Sequence, residues 1–414
     1  MVTLRQSIKS QRLWAIFLLG IPSGIPFVLI GQTLKAWMQD LHVDLTVIGF
    51  FAIVRMPYSL KFLWSPFLDR YAPPFLDRRR GWIVVFQVLI ALLLCLFAIS
   101  NPALSPGYVA ALCVVTAFLG ASQDICVDAY RRDILHDEEL GLGSSLAVNG
   151  YRIGMVVLSG SAALIVAQWY GWPMAYFSMA VAMLACISFT FFAPAVPDDK
   201  ALRPRDLRAA IVEPFLEYFG RPGAWEILLF ILLYKLGDQM ASDMFNPFYI
   251  QTGFSKAEIA IIAKYVALTA TILGGLVGGT LMFTLGMTRS LWIFGIIQAV
   301  SIASFSVLAQ IGHSNLALTW VVALEQFTSA MGTAAYAGFM ASLCNKRYTA
   351  TQYALLSSLM GIPRDLFGVT TGYLAKHLGW TGYFIFCTFI AVPGLLMLLR
   401  MPKWKQNDPT SATG

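Results

Sequence analysis

The sequence predicts an all-α polytopic membrane protein with twelve transmembrane helices in two six-helix halves. Of its 414 residues, 58% are hydrophobic and only 12% are charged, whereas a soluble globular chain carries about 25% charged residues. A transmembrane β-barrel is excluded as well, because the apolar runs are long and do not alternate. Two further observations, the placement of the basic residues and an internal repeat, complete the prediction.

Twelve apolar segments reach the length of about 20 residues that a helix needs to cross a bilayer. The first half contains predicted spans at 13–34, 46–66, 82–100, 107–130, 143–167 and 173–193. The second half contains predicted spans at 223–250, 257–284, 289–311, 316–343, 349–374 and 379–400. The first segment is long for a signal peptide and has no small-residue cleavage site after it, so we expect an uncleaved first span.

The basic residues between the spans set the orientation, because cytoplasmic loops carry an excess of lysine and arginine. With the N-terminus inside, the outer side receives only Lys35, Lys256 and Lys376. The inner side receives Arg5, Lys9, Arg12, Arg70, Arg78, Arg79, Arg80, Arg131, Arg132, Lys200, Arg203, Arg205, Arg208, Arg221, Arg289, Lys346, Arg347, Arg400, Lys403 and Lys405. Both termini are therefore expected in the cytoplasm. The net charge of +7 reflects this sidedness, and no nucleic-acid partner is expected.

The two halves resemble each other at an offset of about 210 residues, which indicates a parallel repeat about an axis along the membrane normal. Residues 137–146 align with 350–359 without a gap, and Gly171-Trp172 recurs as Gly379-Trp380. We therefore predict four regions: an N-terminal half over 1–193, a cytoplasmic linker over 194–222, a C-terminal half over 223–400 and a polar tail over 401–414.

The linker contains a segment with an apolar helical face. Leu207, Ile211, Phe215 and Tyr218 share this face, as in helices that lie on a membrane surface. We expect such a helix on the inner surface, either as a tether between the halves or with a role in gating.

Apart from residues at the ends of the predicted spans, thirteen ionisable residues fall inside them, where a charged side chain costs about 2.5–3.5 kcal/mol near the bilayer centre. The basic ones are Arg55, Lys61, Arg152, Lys235, Lys264 and Arg364, and the acidic ones are Asp124, Asp128, Glu226, Asp238, Asp243, Glu325 and Asp365. Their near balance favours mutual pairing. Depth in the membrane suggests that Arg152 neighbours Asp124 and that Arg364, with Asp365 beside it, pairs with Glu325.

Asp124 and Asp128 lie one helical turn apart on one face. This spacing suggests either proton handling in a protein-lined interior or structural pairs with Arg131, Arg132 or another helix's arginine. The corresponding segment of the second half, around 332–336, has no acid, so the fold itself does not require the charges. Asp124, Asp128, Asp238 and Glu325 are our candidates for proton coupling. For Asp238 a local pair with Lys235 is the alternative.

The candidates for substrate binding are basic side chains, which would pair with carboxylates of the substrate, and neutral polar and aromatic side chains. They are Arg55, Gln123, Asn149, Tyr151, Arg152, Lys235, Lys264 and Gln352. The glycine run 274–279 indicates close helix packing, since no strand precedes it and no lysine-serine pair follows it, as a phosphate-binding loop requires. The six cysteines show no metal-ligand spacing, and we expect neither a metal nor a cofactor.

The loop Ser65-Pro66-Phe67-Leu68-Asp69-Arg70-Tyr71, followed by Arg78-Arg79-Arg80, resembles the signature between spans two and three of the major facilitator superfamily. In that signature an aspartate and basic residues clamp neighbouring helix ends, so the resemblance implies structural charge pairs at Asp69 and Arg70. Ser65 stands where the signature usually has glycine, and the equivalent stretch 278–290 has lost the aspartate.

Longer motifs at 62–75, 78–82, 121–125, 234–238, 344–346 and 350–357 are similar to those of the AmpG muropeptide permeases. This resemblance implies a permease of the bacterial inner membrane that imports N-acetylglucosaminyl-1,6-anhydro-N-acetylmuramyl peptides for peptidoglycan recycling, driven by the proton gradient. Some members carry two further C-terminal spans, whose absence we expect to affect regulation or assembly more than transport.

Other functions remain open from the residues themselves. The same core is similar to acetyl-CoA transporters, and a drug exporter is an alternative because the sequence does not reveal direction. An enzyme is not expected, since no catalytic constellation lies at membrane depth. The expected partners are the muropeptide, protons and the lipid bilayer, with the monomer as the functional unit.

Overall fold

The computed structural model describes residues 10–44, 47, 51, 53–196, 206–255, 258–259 and 261–401, without the side chains of 53, 207, 263, 264 and 361–369. Within these ranges the secondary structure is helical, which confirms the all-α prediction. In the described part of the chain, eight helical segments are long and apolar enough to cross a membrane. They are Gln11–Asp40, Arg78–Ala98, Pro106–Ile134, Asp137–Tyr170, Trp172–Phe192, Ala267–Leu285, Met287–Ile311 and Thr370–Arg400.

The other predicted spans are interrupted or less apolar. The second consists of the short helices Ile53–Arg55, Met56–Leu60, Lys61–Leu63 and Ser65–Arg70, and residues 46, 48–50 and 52 of its prediction lie outside the described part. The seventh consists of Ala224–Tyr234, Leu236–Asp243 and Phe245–Gln251. The tenth is the helix Asn315–Ser342, and the eleventh begins at Thr349 within Thr349–Met397, which is interrupted at Gly379.

Several spans contain turns of π-helix, a local widening that often accompanies functional sites. Leu29–Thr33 continues the first helix, Gln11–Val28, and is followed by Leu34–Asp40. Ile153–Ala162 separates Leu140–Arg152 from Ala163–Tyr170, and Ile261–Val266 precedes Ala267–Leu285. The predicted start of the eighth span at 257 lies outside the described residues.

The chain forms two compact units. The first contains Met1–Pro214 together with Ala341–Ser358, and the second contains Phe215–Met340 together with Leu359–Gly414. The start of the eleventh span thus belongs to the unit built mainly from the first half. The four-region division made from the sequence stays a prediction, and its tail 402–414 lies outside the described residues.

Glycines let the first and fifth spans approach closely in the first unit. A Cβ at Gly24 would lie 2.1 Å from the carbonyl oxygen of Tyr151, and one at Gly150 would lie 2.1 Å from that of Phe17. Such contacts leave no room for a side chain, so these positions require glycine for close backbone packing. The contact fixes Tyr151, a predicted site residue, against the first span.

The predicted packing role of the 274–279 glycine run is confirmed in the second unit. A Cβ at Gly274 would lie 2.1 Å from the Phe327 carbonyl oxygen, and one at Gly278 would lie 2.7 Å from the Cα of Met331. The helix Ala267–Leu285 therefore lies directly against Asn315–Ser342, the helix that carries Glu325.

Equivalent hydrogen bonds in the two units support the internal repeat. Trp172 Nε1 donates to Asp40 Oδ2 over 2.9 Å, and Trp380 Nε1 donates to Gln251 Oε1 over 3.0 Å. Both donors follow a glycine with positive φ, Gly171 at 85° and Gly379 at 66°. The same turn therefore opens the sixth and twelfth spans.

The predicted linker helix is observed at Leu207–Phe219. Ile211, Val212 and Leu216 expose their side chains, whereas Tyr218, which the sequence placed on the same apolar face as Ile211, is buried. The exposed apolar residues therefore coincide with the predicted face only in part. Residues 197–205 of the predicted linker lie outside the described part.

Candidate functional site

The first candidate site surrounds Asp128 near the C-terminal end of the helix Pro106–Ile134. Its Oδ1 lies 3.2 Å from Arg131 Nη2, and its Oδ2 lies 3.7 Å from Lys61 Nζ. One carboxylate thus stands between two cations. Arg132, the other partner that the sequence suggested, pairs instead with Asp137 over 2.9 Å.

Asp124 lies one turn before Asp128 and has a different environment. Its Oδ1 is buried and receives no hydrogen bond. Lys61 and Asp128 act on its charge, and Ser23 lies beside its carboxyl group. Asp124 and Asp128 therefore share the influence of one ammonium group, while only Asp128 also has an arginine beside it.

Aromatic side chains and a third cation surround Asp124. Tyr58 and Tyr151 both lie within electrostatic range of Asp124 and of Arg55. The Arg55 guanidinium lies 5.1 Å from the centroid of the Phe27 ring, a cation–π contact. The structure therefore brings four sequence candidates together: Asp124, Asp128, Tyr151 and Arg55.

Gly120 provides the space for one of these tyrosines. A Cβ at Gly120 would lie 2.3 Å from Tyr58 Oη. That hydroxyl is buried without a hydrogen-bond partner. The glycine of the Gly120–Asp124 stretch thus positions an aromatic hydroxyl beside the aspartate.

Gln123 is the candidate with the most unused hydrogen-bonding capacity. Its side chain is fully buried, and neither its Oε1 nor its Nε2 has a partner. A primary amide offers both an acceptor and two donors. Asn149 is buried and Arg152 is half-buried on the helix Leu140–Arg152. The expected neighbourhood of Arg152 and Asp124 stays a prediction.

Arg131 links the first site to the start of the eleventh span. Its side chain is buried, and its guanidinium carbon lies 5.0 Å from the centroid of the Tyr353 ring. From the sequence, Arg131 is predicted only as a structural partner, and Tyr353 is not predicted as a site residue.

A network of buried charges lies at the loop that resembles the superfamily signature. Asp69 is fully buried, and its Oδ1 accepts a hydrogen bond from Arg79 Nη2 over 2.9 Å. Its Oδ2 accepts hydrogen bonds from the backbone N–H and the hydroxyl of Thr351, over 2.9 and 2.7 Å. Asp69 therefore caps the helix that begins at Thr349, where the unpaired N–H groups favour a negative charge.

Two other predicted residues are Arg70, expected in a structural charge pair, and Gln352, a candidate for substrate binding. Arg70 lies 5.7 Å from the centroid of the Tyr71 ring. Gln352 accepts a hydrogen bond from the Asn345 N–H over 2.8 Å and donates one to the Pro214 carbonyl over 3.2 Å. Both ends of the Gln352 amide are therefore used by the backbone.

The second candidate site lies in the second unit, around the break in the seventh span. Lys235 Nζ donates to Asp238 Oδ2 over 3.1 Å, which is the local pair that the sequence offered as the alternative role for Asp238. The same ammonium donates to Gln298 Oε1 over 3.1 Å and to the Ser329 carbonyl over 3.2 Å. Three spans therefore meet at one lysine.

Glu325 is buried beside this lysine. Its Oε2 accepts a hydrogen bond from Gln326 Nε2 over 2.8 Å, and Asp238 and Lys235 are the charged groups that act on it. The predicted pair of Glu325 with Arg364 lies outside the described residues, as do the side chains of Asp365 and Lys264. The structure thus brings Lys235, Asp238 and Glu325 together.

Both sites hold carboxylates in surroundings that exclude most water and contain at least one cation. In such surroundings burial disfavours the charged form of a carboxyl group, and a nearby cation favours it. Among the described residues, no group of three histidine, cysteine or acidic side chains forms a metal site.

The sequence profile of the Major Facilitator Superfamily matches residues 14–364. The chain is 42% identical to the anhydromuropeptide permease of Escherichia coli (strain K12) over 385 residues, 93% of this chain and 78% of that protein. It is 38% identical over 405 residues to a putative transporter, AmpG 4, of Rickettsia conorii, covering 95% and 97% of the two chains.

Solved structures with a similar fold are more distant in sequence. The human organic anion transporter MFSD10 (TETRAN) superimposes with a TM-score of 0.74 at 13% identity, covering 94% of this chain and 99% of the transporter. The proton:xylose symporter XylE, bound to 6-bromo-6-deoxy-D-glucose, superimposes with a TM-score of 0.70 at 13% identity, covering 96% and 95%. At this identity the likeness concerns the fold alone.

Proposed function

The chain belongs to the major facilitator superfamily and, within it, to the family of the anhydromuropeptide permeases, and we propose that it imports anhydromuropeptides across the bacterial inner membrane by proton symport. The observation that carries this proposal is the 42% identity to the Escherichia coli permease over 93% of the chain. The substrate would be an N-acetylglucosaminyl-1,6-anhydro-N-acetylmuramyl peptide, moved from periplasm to cytoplasm for peptidoglycan recycling.

The first site is suited to the recognition of an anionic sugar-peptide. Three cations, Arg55, Lys61 and Arg131, lie near two carboxylates, Asp124 and Asp128. The excess of positive charge favours the carboxylates of the muropeptide's peptide part. An aromatic surface is present beside these charges, as Tyr58 packs edge-on against Phe27 with ring centroids 5.2 Å apart.

Gln123 would supply recognition of amide groups within the same site. Its amide has an unused acceptor and unused donors in a buried position, and acetamido and peptide groups present the complementary donor and acceptor. Satisfying a buried polar group on substrate binding adds specificity, because a solute without the matching group would leave it unpaired.

Proton coupling is assigned to carboxyl groups of both sites. Asp124, with its unpaired buried oxygen, is the carboxyl group of the first site that is best placed for uptake of a proton. Asp128 has two cations within 3.7 Å and is therefore given a supporting role. In the second site Asp238 and Glu325 are the candidates. The monomer is proposed to be sufficient for transport, because each site is formed within one unit of one chain.

The test is uptake of labelled anhydromuropeptide into right-side-out and inverted vesicles, with and without an imposed pH gradient. We expect concentrative uptake into right-side-out vesicles only when the outside is more acidic. Absence of uptake in every condition would reject the substrate, and concentrative uptake without a gradient would reject the coupling.

An Asp124→Asn, Asp128→Asn double variant tests the first site's part in coupling. Amide groups keep hydrogen bonds but do not titrate, so uphill uptake should be abolished while downhill exchange persists. A double variant that still concentrates the muropeptide would exclude these aspartates as the coupling site. Loss of both activities together with poor expression would assign them a structural role.

A further inference from the structure

Lys235 has no N–H donor left for a substrate. An ammonium group has three donors, and those of Lys235 are directed at Asp238 Oδ2, Gln298 Oε1 and the Ser329 carbonyl at 3.1, 3.1 and 3.2 Å. The side chain is buried. It therefore does not have the geometry of a ligand for substrate carboxylates, which is the role predicted for it from the sequence.

The backbone and a glycine hold the ammonium group in this place. Lys235 occupies the break between the helices Ala224–Tyr234 and Leu236–Asp243, with φ −103° and ψ 2°. A Cβ at Gly332 would lie 2.5 Å from Gln298 Oε1 and 3.6 Å from Lys235 Nζ. The absence of a side chain at Gly332 thus leaves room for the Lys235–Gln298 contact.

Two carboxyl groups face this ammonium. The hydroxyl of Ser329 lies 3.2 Å from Asp238 Oδ2, and Glu325 precedes Ser329 by one turn on the same helical face. Asp238 lies near enough to act on the charge of Glu325. Two neighbouring carboxyl groups in a site with little water disfavour ionisation of both at once, because like charges repel each other.

We propose that Asp238 and Glu325 form a site for a single proton and that Lys235 is the positioning residue that sets the affinity of this site for the proton. This inference deepens the proposed proton symport and rests on it for its physiological meaning. The ammonium favours the charged form of the nearer carboxylate, so the pair binds one proton and does not accept a second until Lys235 is displaced.

The surroundings of the pair are otherwise mostly neutral. Tyr234 faces Asp238, and Tyr249 faces Glu325. From the eighth span, Thr271 donates to Gln326 Oε1 over 3.1 Å, and Gln326 in turn donates to Glu325. Within the described side chains, Lys235 is thus the cation that acts on both carboxyl groups.

The test is a pH titration of the protonated carboxyl band in the infrared spectrum of the purified protein in lipid, which needs no substrate. Glu325→Gln identifies the band by removing it. Lys235→Met should move the titration midpoint upward by about one pH unit or more, since an opposite charge within about 4–6 Å shifts a carboxyl group by about 1–3 units. Lys235→Arg keeps the charge and should stay near the wild-type midpoint.

The same variants are then compared in muropeptide uptake over a series of external pH values. Lys235→Met should move the half-maximal pH of uptake in the same direction while the KM stays within about twofold. An unmoved infrared midpoint would overturn the inference, whether or not muropeptide is transported. A large rise in KM with an unmoved midpoint would return Lys235 to the role of substrate ligand.

Gln298→Met provides a second variant if Lys235→Met does not reach the membrane. It keeps every charge and removes one neutral acceptor, so the ammonium turns towards Asp238 and the midpoint should fall. A midpoint that rises or stays at the wild-type value would contradict the proposal. The wild-type protein could also show a titrating carboxyl band in the infrared spectrum but no uptake of muropeptide. This result would reject the transport function and leave the placement of Lys235 established.

Discussion

Replacing Asp69 by asparagine should weaken the attachment of the eleventh span's first turn. The asparagine side chain would keep an acceptor oxygen but lose the charge that now faces Arg79 and the N–H and hydroxyl of Thr351. Arg79 keeps Asp133 at 2.8 Å. The loss of this partner therefore costs less than the roughly 3–5 kcal/mol of a buried charge left alone.

The expected loss of stability follows from the hydrogen bonds whose acceptor changes from a charged to a neutral group. Bonds to a charged acceptor contribute about 1.5–3 kcal/mol and neutral ones about 0.5–1.5 kcal/mol, so the two bonds from Thr351 lose about 2 kcal/mol together. A buried charge at a helix N-terminus adds up to about 2 kcal/mol. We expect Asp69→Asn to destabilise the protein by about 2–4 kcal/mol, measured as a lower apparent Tm in detergent.

A double-mutant cycle separates this contact from a general loss of stability. Thr351→Val removes the hydroxyl donor at 2.7 Å, and it should cost at least about 1 kcal/mol less in the Asp69→Asn background than alone. Asp77→Asn is the matched control. Asp77 caps its own helix by accepting from the N–H groups of Arg79 and Arg80 at 3.1 Å. The effects of Asp77→Asn and Thr351→Val should be additive. Additive effects of Asp69→Asn and Thr351→Val would refute the proposed contact between Asp69 and Thr351.

Three further predictions concern other parts of the chain. Gly120→Ala should lower uptake because its Cβ would lie 2.3 Å from Tyr58 Oη, whereas Gly107→Ala, with open space around it, should leave uptake unchanged; equal uptake by both variants would contradict this. Hydrogen bonds from Asn315 and Ser255 lower the pKa of Glu258 from 4.5 to about 2. The stabilisation by the ionised group is therefore complete above pH 4.5 and is lost as the pH falls towards 2. The Tm difference between wild type and Glu258→Gln should accordingly shrink over this range, and a constant difference would disprove it. Reporters fused after Leu104 and Gly312 should be periplasmic and those within 198–208 cytoplasmic, and a cytoplasmic signal at Leu104 or Gly312 would reverse the orientation.

The fold could be predicted because its signals are local or periodic. Long apolar runs predict membrane helices, and similar residues at a fixed offset predict the repeat that the Trp172 and Trp380 hydrogen bonds support. The Lys235–Asp238 contact could also be predicted, because residues three apart face each other on a helix. These inferences need no knowledge of which spans are neighbours.

The breaks in the seventh span were not predicted. Lys235 and Met244 both have φ −103° and ψ 2°, yet neither is a proline or a glycine, the residues that mark such interruptions in a sequence. At Lys235 the break coincides with the three-way contact of the ammonium group. The break at Lys235 thus occurs together with tertiary contacts, and the local sequence does not indicate it.

Contacts between distant parts of the chain were also not predicted. Asp69 and Thr351 are separated by 282 residues, and only the arrangement of the helices brings them together. Lys61 was recognised as an ionisable residue in a span but was not connected with Asp128. A comparison of depth could have made this connection, because both lie near the inner ends of the spans predicted at 46–66 and 107–130.

The most direct test of proton-coupled muropeptide import is simultaneous measurement of both fluxes in proteoliposomes that contain the purified protein and an internal pH indicator. Adding anhydromuropeptide outside should acidify the lumen as labelled substrate enters, and an acidic exterior should drive accumulation above the external concentration. Entry of substrate without acidification would contradict the coupling, and acidification or accumulation that requires a different solute would contradict the proposed substrate.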